Sequence, residues 1–121
     1  MRIIEERAQA VFIELPAFER HREEYLNEEH FWELQAALIA NPLAGELIEG
    51  TGGLRKMRFA DERRRKGKRG GLRIIYYWWS AGFQFWLFTI YDKDEISDLT
   101  PQQRKAFKAM MKAELRARST R

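Results

Sequence analysis

Two aromatic-rich apolar runs, Leu72–Trp79 and Phe83–Tyr91, flank the short spacer Ser80-Ala81-Gly82. Runs this dense in Ile, Tyr, Trp and Phe read as β-strands, and three small residues between them leave room only for a tight turn. The second half of the chain is thus expected to form an antiparallel sheet, with Leu54–Phe59 as a further strand before the hairpin.

Upstream, Ala10–Leu15 (AVFIEL) alternates well enough for a short strand, and Pro16 opens a helix that carries Phe18, the stem of Arg22 and Tyr25 on one stripe. Asn27 is placed to cap a second helix. Glu28 and Glu29 occupy its first turn, Phe31, Leu34 and Leu38 repeat at helical spacing, and Asn41-Pro42 stops it. A turn-rich connector, Leu43 to Gly53, closes with Thr51-Gly52-Gly53. After a polar stretch from Asp92 to Leu99, Thr100-Pro101-Gln102-Gln103 combines a capping Thr, a Pro at the first helical position and a Gln three residues after the cap. The helix it starts places Phe107, Met110, Met111 and Leu115 on one face and ends in a basic tail, Arg116–Arg121. The reading is an α+β fold in one domain, 1–121, without internal repeats. A short N-terminal strand and two helices precede a three-stranded antiparallel sheet segment and a C-terminal helix.

Composition removes several function classes. The chain has no Cys, which excludes disulfides, thiolate nucleophiles and cysteine-ligated zinc. Its two histidines, His21 and His30, both fall in the acidic N-terminal third, far in sequence from the basic segment described next, so histidine-pair hydrolysis has little support. No apolar run approaches membrane-span length, and the opening MRIIEERAQAV mixes acids into its first residues, unlike a signal peptide. A soluble cytoplasmic protein is expected, with no membrane partner and no cofactor.

Charge is distributed unevenly. The formal total of +4 divides into −7 over residues 1–54, +8 over 55–73 and +3 over 74–121. From Arg63 to Gly71 six bases occur with no acid. Such a run is commonly a solvated loop, but like charges repel at a cost that a polyanion would offset, and nucleic-acid contact is the favoured reading. Arg55, Arg63, Arg64, Arg65, Lys66, Lys68 and Arg69 are the candidate nucleic-acid-binding residues. The aromatic runs, Trp78-Trp79 included, are read as core or sheet surface rather than base-stacking platforms.

Strand period sorts the remaining cations. In Leu54–Phe59, Lys56 and Arg58 point one way while Met57 and Phe59 point into the core. Arg73 shares a face with Ile75, Tyr77 and Trp79, and Tyr91 shares one with Phe83, Phe85, Leu87 and Thr89. If Arg73 and Tyr91 reach the face of Lys56 and Arg58, a groove with cations and an aromatic hydroxyl results. The sequence leaves that register open.

The stretches Gly50–Phe59 (GTGGLRKMRF), Lys66–Tyr77 (KGKRGGLRIIYY) and Leu87–Lys93 (LFTIYDK) resemble the RelE/HigB superfamily of toxins, on its HigB-type branch. The likeness runs from about Val11 to the C-terminal helix. It implies a RelE-like fold and a metal-independent endoribonuclease that enters the ribosomal A site and cuts messenger RNA during translation. It also implies a cognate antitoxin, commonly a helix-turn-helix protein of HigA type. By position, Arg73 resembles the family's phosphate-binding strand arginine, and Lys56 with Arg58 the basic pair on the preceding strand. In metal-free cleavage the ribose 2′-hydroxyl attacks the adjacent phosphate, so the protein must align the reactants, stabilise a developing dianion and move protons. Arginine suits the second task, and Arg73 is the expected clamp. Lys56 or Lys93 is a candidate for proton transfer, and Tyr91 a candidate to orient or protonate the leaving 5′-oxygen. The chain departs from family members that carry a second arginine after the last strand, since Asp94 follows Lys93 here, and from those with a C-terminal histidine. Little activity on naked RNA is expected. The rival is a non-catalytic RNA- or ribosome-binding inhibitor of translation; a DNA binder using Arg104–Lys112 is a weaker third.

Overall fold

The computed structural model describes residues 2–7, 10–61, 71–96 and 98–119. Strands β1 (Arg2–Arg7) and β2 (Ala10–Glu14) precede helices α1 (Pro16–Tyr25) and α2 (Glu28–Ala40). Then come β3 (Glu46–Leu47), β4 (Arg55–Phe59), β5 (Leu72–Trp79), a 3₁₀ turn at Ser80–Gly82, β6 (Gln84–Asp92) and α3 (Pro101–Ser119). Among the described residues no helix is long and apolar enough to cross a membrane.

The strands form one six-stranded sheet in the order β1-β2-β6-β5-β4-β3. All neighbours pair antiparallel except β2 and β6, which run parallel with Phe12 opposite Phe85. The sheet is therefore mixed and wider than the three-stranded segment expected from the sequence. β1 was not foreseen at all, and β3 rises from the connector read as turns. The parallel join is sealed by the stacking of Phe12 on Phe85, ring centroids 4.8 Å apart and 12° from coplanar.

The helices divide between the two faces. Phe18 and Tyr25 of α1 and Phe31, Leu34 and Leu38 of α2 bury against Phe12, Met57, Leu72, Ile74, Tyr76, Phe85, Leu87 and Ile90. On the other face Met111, with Phe107 and Leu115 beside it, packs over Ile13, Ile75, Trp86, Phe88 and Tyr91. Met110, expected on that stripe, is 37% exposed. The caps form as the sequence requires: Asn27 Oδ1 accepts the His30 amide at 2.7 Å. At α3 the Thr100 amide donates to Gln103 Oε1 at 2.9 Å while Thr100 Oγ1 accepts the Gln103 amide at 3.1 Å. Each such cap contributes about 1 kcal/mol.

Glycine is required where the hairpin turns. A Cβ on Gly82 would lie 2.3 Å from the Trp79 ring, and the following Phe83 takes a left-handed φ of 51°. Trp79 in turn packs on Trp86 at 5.8 Å, and Arg118 lies over the Trp79 and Trp86 rings at 5.6 and 5.3 Å. Trp78 packs on Phe85 at 4.3 Å. The aromatic run is thus spent on packing both faces of the hairpin.

Candidate phosphate-binding groove

The register answers the question that the sequence left open. Arg58 stands opposite Arg73 across β4 and β5, and Arg73 stands opposite Tyr91 across β5 and β6. Directly opposed residues share a face with Cβ atoms about 5 Å apart. Lys56, opposite Ile75, belongs to the same face, which is the α3 side of the sheet. Met57 is buried on the α2 side and Phe59 packs against the same cluster, as strand alternation predicts.

Tyr91 reaches this face through an irregularity. Ile75 pairs with Thr89 but Tyr76 pairs with Leu87, so Phe88 is an extra residue in β6. Plain alternation would have kept Tyr91 with Phe85 and Leu87, which lie in the core under α1 and α2. The bulge moves Thr89 and Tyr91 to the side of Ile75 and Arg73 instead. The expected grouping of Tyr91 with Phe85 and Leu87 is corrected by that one inserted residue.

Lys56, Arg58, Arg73 and Lys93 line a groove of about 420 Å³ at the β4 edge. The groove opens there because β3 pairs only with Arg55 and Lys56, leaving the outer edge of β4 beyond them uncovered by β3. Arg73, 5% exposed, forms the floor and donates to its neighbour's Leu72 carbonyl at 3.1 Å, whereas Arg58 and Lys93 are exposed at the rim. Glu46, opposite Lys56, is the one acid lining it among the described residues. Burial, and then the Arg58 charge, pull the Arg73 pKa below its ordinary value, while Tyr91 and Asp94 act the other way. Guanidinium remains cationic through such shifts, and two of them side by side make a site that favours a dianion.

The Tyr91 side chain is 4% exposed and its hydroxyl has no hydrogen-bond partner among the described residues. Its pKa is pushed up to about 12, first by burial and then by Asp98, against the opposing pull of Arg73 and Arg104. At neutral pH it is a proton donor and not a base.

No family model matches the chain. Among solved structures it is similar to the free state of a double arginine-to-alanine mutant of the E. coli toxin RelE. The sequences are 12% identical, with a TM-score of 0.45, over 71% of this chain and 85% of that one. At that identity no residue role transfers, and the site stands on its own geometry.

Of the twelve site residues named from the sequence, five meet at the groove or beside it: Lys56, Arg58, Arg73, Lys93 and Tyr91. Arg55 lies on the opposite face, where its Nη1 donates to the carbonyls of Gly45 at 2.8 Å and Leu43 at 3.4 Å, tying the connector to β4. Arg63, Arg64, Arg65, Lys66, Lys68 and Arg69 lie outside the described residues.

Sequence reasoning missed three residues. Asp98 lies 3.5 Å from Lys56 Nζ and 2.9 Å from Arg104 Nη2, joining the exit loop, β4 and α3. In the sequence Arg104 reads only as part of the basic helix face Arg104–Lys112. His21, set aside for its distance in sequence, lines a small cavity of about 180 Å³ together with Tyr91, Thr89 and Gln103. Only the packing of α1 along β6 brings it there.

Proposed function

We propose that the protein is the toxin of a toxin–antitoxin pair, a ribosome-dependent endoribonuclease that cuts translated messenger RNA and so inhibits translation. The observation that carries this reading is the row Arg58–Arg73–Tyr91 across three adjacent strands. It provides two guanidinium groups for a phosphate and one neutral phenol beside them. The 2′-hydroxyl gives its proton to solvent water as it attacks the neighbouring phosphorus, the bond to the 5′-oxygen breaks, and a 2′,3′-cyclic phosphate and a protonated 5′-hydroxyl end result. Arg73 grips the non-bridging oxygens as charge builds on them, with Arg58 beside it. Tyr91, held protonated, donates to the departing 5′-oxygen. Lys56 and Lys93 complete the cationic rim, and the basic run Arg63–Arg69 supplies attraction for RNA.

Among the described residues at the site, groups fit for the base are scarce at neutral pH: Tyr91 holds its proton, Lys56 is paired with Asp98, and Glu46 is the one carboxylate lining the groove. That scarcity fits an enzyme whose geometry is completed on the ribosome, and it also favours a second reading, a cationic binder that blocks translation without cutting. The cognate antitoxin, a helix-turn-helix protein of HigA type, would hold the protein inactive. Induction of the chain in cells followed by 5′-end mapping of messages tests the proposal: growth arrest without new ends would leave only the second reading.

A further inference from the structure

The carboxylate of Asp98 is surrounded by three donors from three places in the fold. Its Oδ1 accepts the Leu99 amide at 2.8 Å and lies 3.5 Å from Lys56 Nζ, and its Oδ2 accepts Arg104 Nη2 at 2.9 Å. Arg104 is itself anchored in the first turn of α3, where its amide donates to the Thr100 carbonyl at 3.0 Å beside the reciprocal Thr100–Gln103 cap. The carboxylate is therefore fixed at both oxygens before Lys56 is considered. Lys56 has the long, flexible stem of any lysine, and it projects from a short strand at the mouth of the groove.

A negative charge beside a groove proposed to hold phosphate, paired with one of its cations, is a disadvantage if cation strength is all that matters. It weakens attraction for RNA and neutralises one of the four cations that line the site. It becomes useful if the ammonium has to stand at a defined point. We propose that Asp98 is a positioning residue: it holds the Lys56 ammonium at the rim of the groove above Arg73 and couples that placement to the docking of α3 through Arg104. This rests on the reading of the groove as an RNA-cleaving site. The Leu99 amide and Arg104 supply rigidity, Asp98 transmits it, and Lys56 meets the phosphate.

Asp98→Asn keeps the size and the Leu99 contact while removing the charge, and Asp98→Glu restores the charge on a longer arm. Purified variants are compared with the unchanged protein in ribosome-dependent cutting, with single-stranded RNA binding measured in parallel. Positioning predicts that kcat falls about tenfold in Asp98→Asn while KM stays level or drops, because a repulsive charge has gone. Asp98→Glu recovers part of kcat. In Lys56→Ala, adding Asp98→Asn costs nothing more. Should Asp98→Asn, with an unchanged melting temperature, cut as fast as the unchanged protein, or should the two substitutions multiply independently, the proposal is overturned. If Asp98→Asn melts early, the Lys56→Ala pair decides, since a purely structural Asp98 would harm that background equally. Failure of the unchanged protein to cut at all is a different result: it removes the nuclease reading, and with it any reaction for Asp98 to serve.

Discussion

Arg73 on β5 and Tyr91 on β6 stand directly opposite each other because β6 carries Phe88 as an extra residue between Leu87 and Thr89. The bulge puts a buried phenol beside a buried guanidinium at the end of the sheet, next to an open strand edge. Both side chains are almost wholly enclosed: Arg73 opens to the groove between Lys56, Arg58 and Lys93, and Tyr91 to the small cavity beside His21 and Gln103.

The Tyr91 hydroxyl is buried without a hydrogen-bond partner among the described residues, so its removal should not weaken the fold. Tyr91→Phe is expected to be neutral or to stabilise by about 1 kcal/mol in urea melts at neutral pH. The pH dependence is directional. An unfolded tyrosine loses its proton near pH 10 and the folded Tyr91 near about 12, so within that window the unfolded chain binds fewer protons and stability falls as pH rises. Tyr91→Phe removes this loss. The stability gap between variant and unchanged protein should therefore widen from pH 9 to pH 11, and a gap independent of pH would show that the phenol is not held protonated.

Arg73→Ala should lower cutting by at least about a hundredfold, the scale expected for removing a transition-state charge clamp. Arg73→Lys should recover little, because a single ammonium lacks the bidentate fork. Melting temperatures are measured alongside, because Arg73 is buried and bonded to the Leu72 carbonyl. Near-normal cutting by Arg73→Ala would remove the clamp from the account.

Tyr76 fastens the connector that carries β3. Its hydroxyl accepts the Gly45 amide at 2.9 Å and donates to the Pro42 carbonyl at 2.8 Å, and a Cβ on Gly45 would sit 2.9 Å from the Tyr76 ring. Tyr76→Phe strands two backbone groups and should cost about 1–3 kcal/mol in a denaturant melt. Faster amide exchange confined to Ala44–Ile48 would trace the loss to this clasp.

Arg64 belongs to the basic run Arg63–Arg69. Arg64→Ala should weaken RNA binding uniformly across sequences and reduce the salt dependence of log K by about one phosphate's worth, with kcat unchanged at saturation. A fall in saturated kcat would bring this segment into the chemistry.

The sequence made the local features legible. The hairpin, the Asn27 cap, the Thr100–Gln103 box and the alternation that sends Lys56 and Arg58 away from Met57 all follow from residues close in the chain. Contacts between distant segments were hidden. The parallel pairing of β2 with β6 depends on Phe12 meeting Phe85, which nothing local specifies. The bulge at Phe88 has no signature in an unbroken run of apolar residues, and without it Tyr91 was assigned to the wrong face. Asp98 reads as one more polar residue in an exit loop until the docking of α3 brings it to Lys56. His21 likewise reaches Tyr91 only through tertiary packing.

We propose that the Arg58–Arg73–Tyr91 face cuts messenger RNA on the ribosome. The most direct test is 5′-end mapping of one defined message in a purified translation system, with the unchanged protein and with Arg73→Ala, each with and without ribosomes. Discrete new ends carrying 5′-hydroxyls are expected only when ribosomes and an intact Arg73 are both present. Inhibited translation with the message left whole, or ends that persist in Arg73→Ala, would contradict the proposal.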